Sequence, residues 1–445
     1  MKIAVAGTGY VGLVTGVCLA EHGHAVVSVD IDEQKLAALQ SGVCPIFEPG
    51  LAELMHKNRE RLIFTADGPA AYREADIIFI TVATPEKRDG SANLTYVYDA
   101  ARTIARSVRK NTVVAVKSTV PIGTNDRLDA LINRDLSGIA VEVVSNPEFL
   151  AQGTAVRDTM HAARIVVGVK NRETGEFMRD LYKPFNAPLL ITDRKSAEMV
   201  KYASNDFLAL KISYINEIAN LCEIIGADID AVSRGMGLDP RIGNQFLQAG
   251  IGYGGSCFPK DTAALYFLAD YYDYELKTIK AAIEVNKSQK LKPLKKARKY
   301  YASLAGRQIT VLGLTFKPGT DDLREAPSLV NIPVLLEEQA LIRAWDPAGS
   351  DNFRRLYPEG IEYCRTIDEA LTGSELCFIF TEWPQILAYD LNSFPKLMRR
   401  PVVIDGRNCF SPQAARAAGI IYDSVGRVGP ADGSQNLNGE TGALR

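Results

Sequence analysis

The sequence predicts an α/β protein in which two doubly wound parallel-sheet domains are joined by a central helical segment with one long helix. Three observations predict it. Short β-rich runs alternate with helical stretches as far as Thr192, a long apolar stripe at helical spacing follows, and a second set of strands comes after that. Strands alternating with helices form a parallel sheet covered on both faces.

The first strands are read at Ile3 to Ala6, Ala25 to Asp30, Asp76 to Val82, Thr112 to Val116, Val141 to Ser145 and Arg164 to Val169. Beyond Thr192, Phe207, Leu210, Tyr214, Ile218, Leu221 and Ile225 fall on one helix face. Such a stripe must pack against something large, a second copy of the chain being one choice. The second strand set is Gln308 to Gly313, Leu341 to Trp345, Leu376 to Phe380 and Val402 to Asp405. A chain of 445 residues exceeds one ordinary core. The expected domains are 1–195, 196–300 and 301–429, with 430–445, rich in Gly, Asn and Ser, as a disordered tail.

Composition excludes some partners. With 47% hydrophobic and 23% charged residues and a net charge of -2, nothing in the balance attracts nucleic acid. The lysine-rich stretch Lys287 to Lys299 is read as a solvated helix face. Ile3 to Ala20 carries no charge, yet Gly7, Gly9, Gly12 and Gly16 suit a strand turning into a helix better than a membrane span. Seven cysteines (Cys18, Cys44, Cys222, Cys257, Cys364, Cys377 and Cys409) are scattered without a C-x-x-C pair, which fits a reducing cytoplasm. The four histidines, His22, His24, His56 and His161, fall in no cysteine-histidine metal pattern, and no metal is expected.

Gly7-Thr8-Gly9-Tyr10-Val11-Gly12 follows the first strand and opens a helix, the setting of a dinucleotide fingerprint in a Rossmann-like domain. Asp30 ends the next strand, where a carboxylate bonds the ribose hydroxyls and repels the extra phosphate of NADP. Lys35 lies near the same ribose. FAD shares the fingerprint, but no second flavin motif is present, so NAD is the expected cofactor.

Around Cys257 the chain reads Gly250-Ile251-Gly252-Tyr253-Gly254-Gly255-Ser256-Cys257-Phe258-Pro259-Lys260-Asp261-Thr262. Glycines let backbone approach a ligand, and cationic surroundings favour a thiolate. Cys18, Cys222 and Cys377 lie in apolar segments and read as inert core residues. A single alcohol oxidation needs no thiol. Two oxidations do, because an aldehyde captured as a thiohemiacetal is again a hydride donor, and its oxidation leaves a hydrolysable thioester. Lys201 and Asn205 stand one turn apart, roughly opposite the apolar stripe. Spacing alone favours exposed polar residues there over a site.

In motif order and over nearly its whole length, the chain resembles bacterial UDP-glucose 6-dehydrogenases of the UDP-glucose/GDP-mannose dehydrogenase family. The matching segments are Gly7 to Gly12, Lys117-Ser118-Thr119-Val120-Pro121, Asn146-Pro147-Glu148-Phe149-Leu150, Lys201 to Asn205, the Cys257 loop and Gly313-Leu314-Thr315-Phe316-Lys317-Pro318. The resemblance implies four-electron oxidation of UDP-glucose to UDP-glucuronate, which feeds cell-surface polysaccharide synthesis. It implies Cys257 as nucleophile, Lys201 and Asn205 as oxyanion stabilisers, Asp261 as activator of the hydrolytic water, and Thr119 and Glu148 as helpers through ordered water. Lys201 has a second reading as acid or base of the first step.

For NAD the resemblance implies Val11, Asp30, Lys35, Thr84, Thr119, Gln152, Lys260 and Arg324. For the sugar nucleotide it implies Glu148, Phe149, Leu150, Ala151, Gln152, Lys201, Asn205, Phe246, Leu247, Gln248, Ala249, Gly250, Gly254, Lys317 and Arg407. A homodimer through the central helices is implied too, with Arg241 reaching the neighbouring site. Two positions depart from the family pattern: Gln152 replaces a glutamate, and Asp206 stands where a small apolar residue is usual. Asp206 is expected at the surface, or else close enough to Asn205 to alter local pKa values.

The rival substrate is a UDP-N-acetylhexosamine, against which Ser256, Phe258 and the Lys260-Asp261 pair speak. A non-catalytic NAD- or nucleotide-sugar-binding regulator is disfavoured by the intact Cys257, Lys201 and Asp261. A cysteine hydrolase is weakened because no histidine follows His161.

Overall fold

In the computed structural model, which describes residues 1–427, the chain divides into two compact units. One comprises Met1–Leu210, Gly254–Ile283 and Lys317–Asp322; the other comprises Lys211–Tyr253, Glu284–Phe316 and the chain from Leu323 onward. The expected tail 430–445 lies outside the described residues.

The first unit holds β1 (Lys2–Ala6), β2 (Ala25–Val29), β3 (Leu62–Thr65), β4 (Ile77–Ile80), β5 (Thr112–Val116), β6 (Val141–Ser145), β7 (Ile165–Gly168) and β8 (Leu189–Thr192). They form one sheet in the order β3-β2-β1-β4-β5-β6-β7-β8. Every neighbouring pair is parallel except β6 and β7, which meet antiparallel at Ser145 and Gly168. All residues of β4 and β5 are buried, as befits strands with helices on both faces. Two apolar clusters cover those faces, one including Val5, Val17, Phe79 and Leu181, the other Ala4, Ile78, Ile104 and Val143. The strand order reverses between β1 and β4, so their carboxyl ends flank the crevice where open α/β sheets bind ligands.

The second unit holds β9 (Gln308–Leu312), β10 (Leu341–Trp345), β11 (Ile361–Tyr363), β12 (Leu376–Ile379), β13 (Val402–Asp405) and β14 (Ile421–Ser424). Its all-parallel sheet runs β11-β10-β9-β12-β13-β14, the winding of the first six strands of the larger sheet. Two doubly wound sheets are thus present, as the alternating pattern predicts.

Helix Arg194–Ile225 is 32 residues long. Phe207, Tyr214, Leu221 and Ile225 of the predicted stripe are exposed, and Ile218 is only partly buried. The helix buries a different set against the core, including Ala197, Tyr202, Ala209, Ile215, Ala219 and Cys222. Both faces are apolar, and periodicity picked out the bulkier one.

The lysine-rich stretch is not simply a solvated face. Lys296 is buried against Glu223 at 2.9 Å and Asp423 at 2.7 Å, and Lys290 pairs with Glu325 at 2.9 Å. Buried lysines need such carboxylates, which lie far away in sequence and leave no local pattern.

Candidate active site

The β1 turn places Gly7 at φ 101°, a conformation costly for any residue with a Cβ. A Cβ on Gly12 would lie 2.0 Å from the Gly7 carbonyl oxygen, which makes glycine obligatory there. Around Gly9, by contrast, a Cβ would meet no atom within 4 Å, and helix Tyr10–Glu21 begins there without a side-chain cap. Its first N–H groups therefore present a site for an anion.

Asp30, at the end of β2, accepts bonds from the Thr8 N–H at 2.8 Å and from the N–H groups of Ile31 and Asp32, and it lies 3.4 Å from Lys35 Nζ. Burial pushes its carboxyl up, but Thr8, Asp32 and Lys35 together hold it below the usual range. An open glycine turn beside an ionised acid fits the diphosphate and ribose of NAD. Val11 is half-buried and Thr84 buried in the same unit.

Tyr10 has a contact that sequence reasoning missed. Its hydroxyl bonds Glu48, and both groups accept from the Gly153 N–H, at 3.0 and 2.6 Å respectively. Glu48 thereby ties the loop after β6 to the cofactor helix. Lying between Pro45 and Pro49 outside any periodic element, it gave no signal beyond its charge.

β5 and β6 deliver two loops side by side. Asn146 Oδ1 accepts from Lys117 Nζ at 3.4 Å and from the Tyr182 hydroxyl, while its amide donates to the Val166 carbonyl at 2.9 Å. This buried network fixes where Glu148 projects. Burial pushes Lys117 down to about 8, against Glu148, which raises it, and with Lys201, which lowers it further. Asn146 and Lys117 lie in motifs that the family resemblance rests on, yet neither has a role in the sequence reading.

Lys201 and Asn205 are buried, 3% and 7% exposed, which overturns the surface reading from spacing. Their acidic partners come from other segments, so helix spacing cannot reveal them. Lys201 Nζ donates to Glu148 Oε1 at 2.9 Å, and Glu148 Oε2 accepts from the Leu150 N–H at 2.8 Å. Asn205 Nδ2 donates to Asp261 Oδ2 at 2.7 Å, and Lys260 Nζ donates to Asp261 Oδ1 at 2.6 Å. Burial pulls Lys201 down, but Glu148, then Asp261 and Cys257, hold it above the usual lysine value. It is a fixed cation.

Cys257 caps helix Phe258–Tyr271, whose first turn carries Pro259, Lys260 and Asp261. The expectation that cationic surroundings favour its thiolate is corrected. Burial raises the thiol first and Glu148 next; Lys201 opposes them, Asp261 adds to the rise, and the Ser256 hydrogen bond opposes it. Two carboxylates and burial outweigh one ammonium.

Of the remaining expected residues, Phe149 lies under the Arg164 guanidinium at 3.9 Å and 5.6 Å from Lys201 Nζ. The Ala151 N–H donates to Asp158 at 3.1 Å. Gln152 donates to Asp322 at 3.0 Å, and its amide oxygen is buried without a hydrogen-bond partner among the described residues. Thr119, Gly254 and Lys317 belong to the same unit as the cysteine.

The other expected substrate residues belong to the second unit. Gly250 donates to Asn216 at 2.8 Å and accepts from Gln289 at 2.7 Å. Arg407 reaches the carbonyls of Phe380, Gly252 and Phe316 at 2.9–3.1 Å. Leu247 and Ala249 are buried, whereas Phe246, Gln248, Arg241 and Arg324 are exposed, Arg241 pairing with Asp239 at 2.6 Å. Asp206 is not at the surface as expected: it is 2% exposed.

Comparison with known proteins agrees with this geometry. Residues 1–186 match the NAD binding domain of the UDP-glucose/GDP-mannose dehydrogenase family, 195–288 its central domain and 310–412 its UDP binding domain. The chain belongs to that family. Two UDP-glucose 6-dehydrogenases of Bacillus subtilis, YwqF and TuaD, are 50% and 48% identical to it, covering 96% of this chain and 98% and 93% of theirs. A UDP-glucose dehydrogenase structure from Pyrobaculum islandicum superposes with a TM-score of 0.90 at 38% identity, over 96% of this chain and 98% of that one.

Proposed function

We propose that this chain oxidises the primary alcohol of UDP-glucose to UDP-glucuronate, with NAD as acceptor and Cys257 as covalent carrier. The observation that carries the reading is the grouping of Cys257, Lys201, Asn205, Glu148 and Asp261 in the unit that bears the glycine turn and Asp30. Residues 1–195 are assigned to the cofactor, 196–300 to dimerisation and 301–429 to the sugar nucleotide. The free state of all seven cysteines suits a cytoplasmic location, and no helix among the described residues is long and apolar enough to cross a membrane.

A bound NAD supplies a hydride acceptor for each oxidation. In the first step the alcohol gives up a hydride and a proton, and Lys201 and Asn205 stabilise the oxygen as negative charge develops. Lys201 is held as an ammonium by two carboxylates, so it serves as a cation and not as the base. The proton leaves through ordered water held by Thr119 and Glu148. A cavity of about 10 Å³, room for about one water, is lined by Ser118, Thr119, Ser145, Glu198 and Lys201 among others.

The Cys257 sulfur then adds to the aldehyde carbon, its proton passing to the oxygen. The thiohemiacetal loses a second hydride and proton to become a thioester. Water, deprotonated by Asp261, attacks the carbonyl carbon and expels the thiol. Turnover on a panel of nucleotide sugars tests the substrate: UDP-glucose is expected to be oxidised at least about a hundredfold faster in kcat/KM than acetylated hexosamines or GDP-mannose. Equal turnover of the acetylated sugars would refute the assignment.

The exposed Phe207, Tyr214, Leu221 and Ile225 suit a dimer joined through the long helices. Leu221→Glu should convert a dimer to monomer in sedimentation velocity; a wild-type chain that sediments as monomer at micromolar concentration contradicts this.

A further inference from the structure

Asp206 lies one residue beyond Asn205, is almost fully buried, and both of its carboxylate oxygens lack a hydrogen-bond donor among the described residues. One turn earlier on the same helix, the Tyr202 hydroxyl is also buried and without a hydrogen-bond partner among the described residues. Tyr202 packs in a cluster with Ala264 and Leu265, one turn beyond Asp261. The face carrying Tyr202 and Asp206 is therefore the one turned toward helix Phe258–Tyr271 and its Asp261.

The two acids differ in their surroundings. Asp261 has donors on both oxygens, Asn205 at 2.7 Å and the Lys260 ammonium at 2.6 Å. Asp206 has none. An ionised carboxylate without donors in an apolar interior is prohibitively costly, and a second carboxylate nearby adds to the cost. Of the pair, Asp206 is the one that holds the proton.

We propose that Asp206 is a positioning residue acting through its proton: neutral, it leaves Asp261 as the single negative charge between Asn205 and Lys260, and ionised, it repels Asp261 from those contacts and slows the reaction. The groups facing it bear this out. Asp261, paired with Lys260, is the charged group that acts on it from the neighbouring helix. On its own helix, Tyr202 remains a neutral phenol, pushed up by burial and then by Asp261, Asp206 and Glu198. Burial first and Asp261 second push the Asp206 carboxyl up to about 8.

This inference rests on the assigned role of Asp261, and its test separates the two. The ratio of kcat in Asp206→Asn to kcat in the wild type should rise about tenfold between pH 7 and pH 9, because the amide cannot ionise while an acid titrating near 8 is about nine-tenths ionised at pH 9. Taking the ratio cancels every titration common to both proteins. A constant ratio over that range overturns the proposal.

The second readout needs no turnover. An acid whose folded-state pKa is raised from 3.8 to about 8 contributes stability that is lost as pH rises through that window. The Tm advantage of Asp206→Asn over the wild type should therefore grow from pH 5 to pH 8 and level off above it. A Tm difference independent of pH overturns the buried proton itself. A protein that oxidises no UDP-glucose but shows the growing Tm difference refutes the function and leaves the proton in place. If Asp206→Asn does not fold, Asp206→Leu serves in both measurements.

Discussion

Replacing Cys257 by Ser abolishes UDP-glucuronate formation, with a loss of at least about 10⁴-fold in the rate of acid release. The size of the loss follows from the chemistry. A serine hydroxyl caps the same helix end and preserves the backbone, but it adds to the aldehyde far less readily, and no other cysteine lies in the glycine-rich loop. The first oxidation uses Lys201 and Asn205 and does not need the sulfur. The variant should therefore release no more than one NADH per sugar, measured by absorbance against product quantified by chromatography. Two NADH per sugar from the serine variant at an undiminished rate would exclude an essential thiol.

Replacing Lys201 by Met lowers kcat by about 10²–10³-fold, the usual cost of losing one preorganised oxyanion donor. Lys201 also lowers the Cys257 thiol pKa against the two carboxylates that raise it. Its removal raises that pKa further and leaves less thiolate at any given pH. Alkylation by iodoacetamide should accordingly slow at pH 8, with its pH curve displaced to the alkaline side. The substitution also strands Glu148 as a buried carboxylate without its 2.9 Å partner, a change of about 3–5 kcal/mol in stability. The double variant with Glu148→Gln separates that loss from the catalytic one: its Tm should recover while kcat stays low. Faster alkylation in Lys201→Met, or kcat within threefold of wild type, would contradict the role given to the ammonium.

The fold was legible at strands inside the sheets. β5, β6, β10 and β13 lie at the residues predicted; β5 and β13 are buried at every residue, and β6 and β10 keep a mostly buried set although they carry Glu142 and Arg343. β3, β8, β11 and β14 were missed. All four stand at sheet edges and are only three or four residues long, and β3, β8 and β11 are only partly buried, so each offers too short a run to stand out.

In the site, the glycine turn and Asp30 were legible because steric necessity writes them into adjacent residues. Lys201 and Asn205 were not legible from spacing: their partners Glu148 and Asp261 come from distant segments, and only the resemblance to a family raised them. The thiol was found by its loop, but its protonation was misjudged. The carboxylates that raise it are brought near by folding, while the lysine beside it in sequence is engaged by Asp261.

The central claim is that the sugar passes through a covalent bond to Cys257. Asp261→Asn, which retains the thiol but loses the base for hydrolysis, should accumulate that species when mixed with UDP-glucose and NAD and quenched in acid. Mass spectrometry of the digested protein is predicted to show the peptide containing Cys257 heavier by one UDP-glucuronyl group joined as a thioester. Release of two NADH per sugar by this variant, with the Cys257 peptide unmodified at every quench time, would contradict the account.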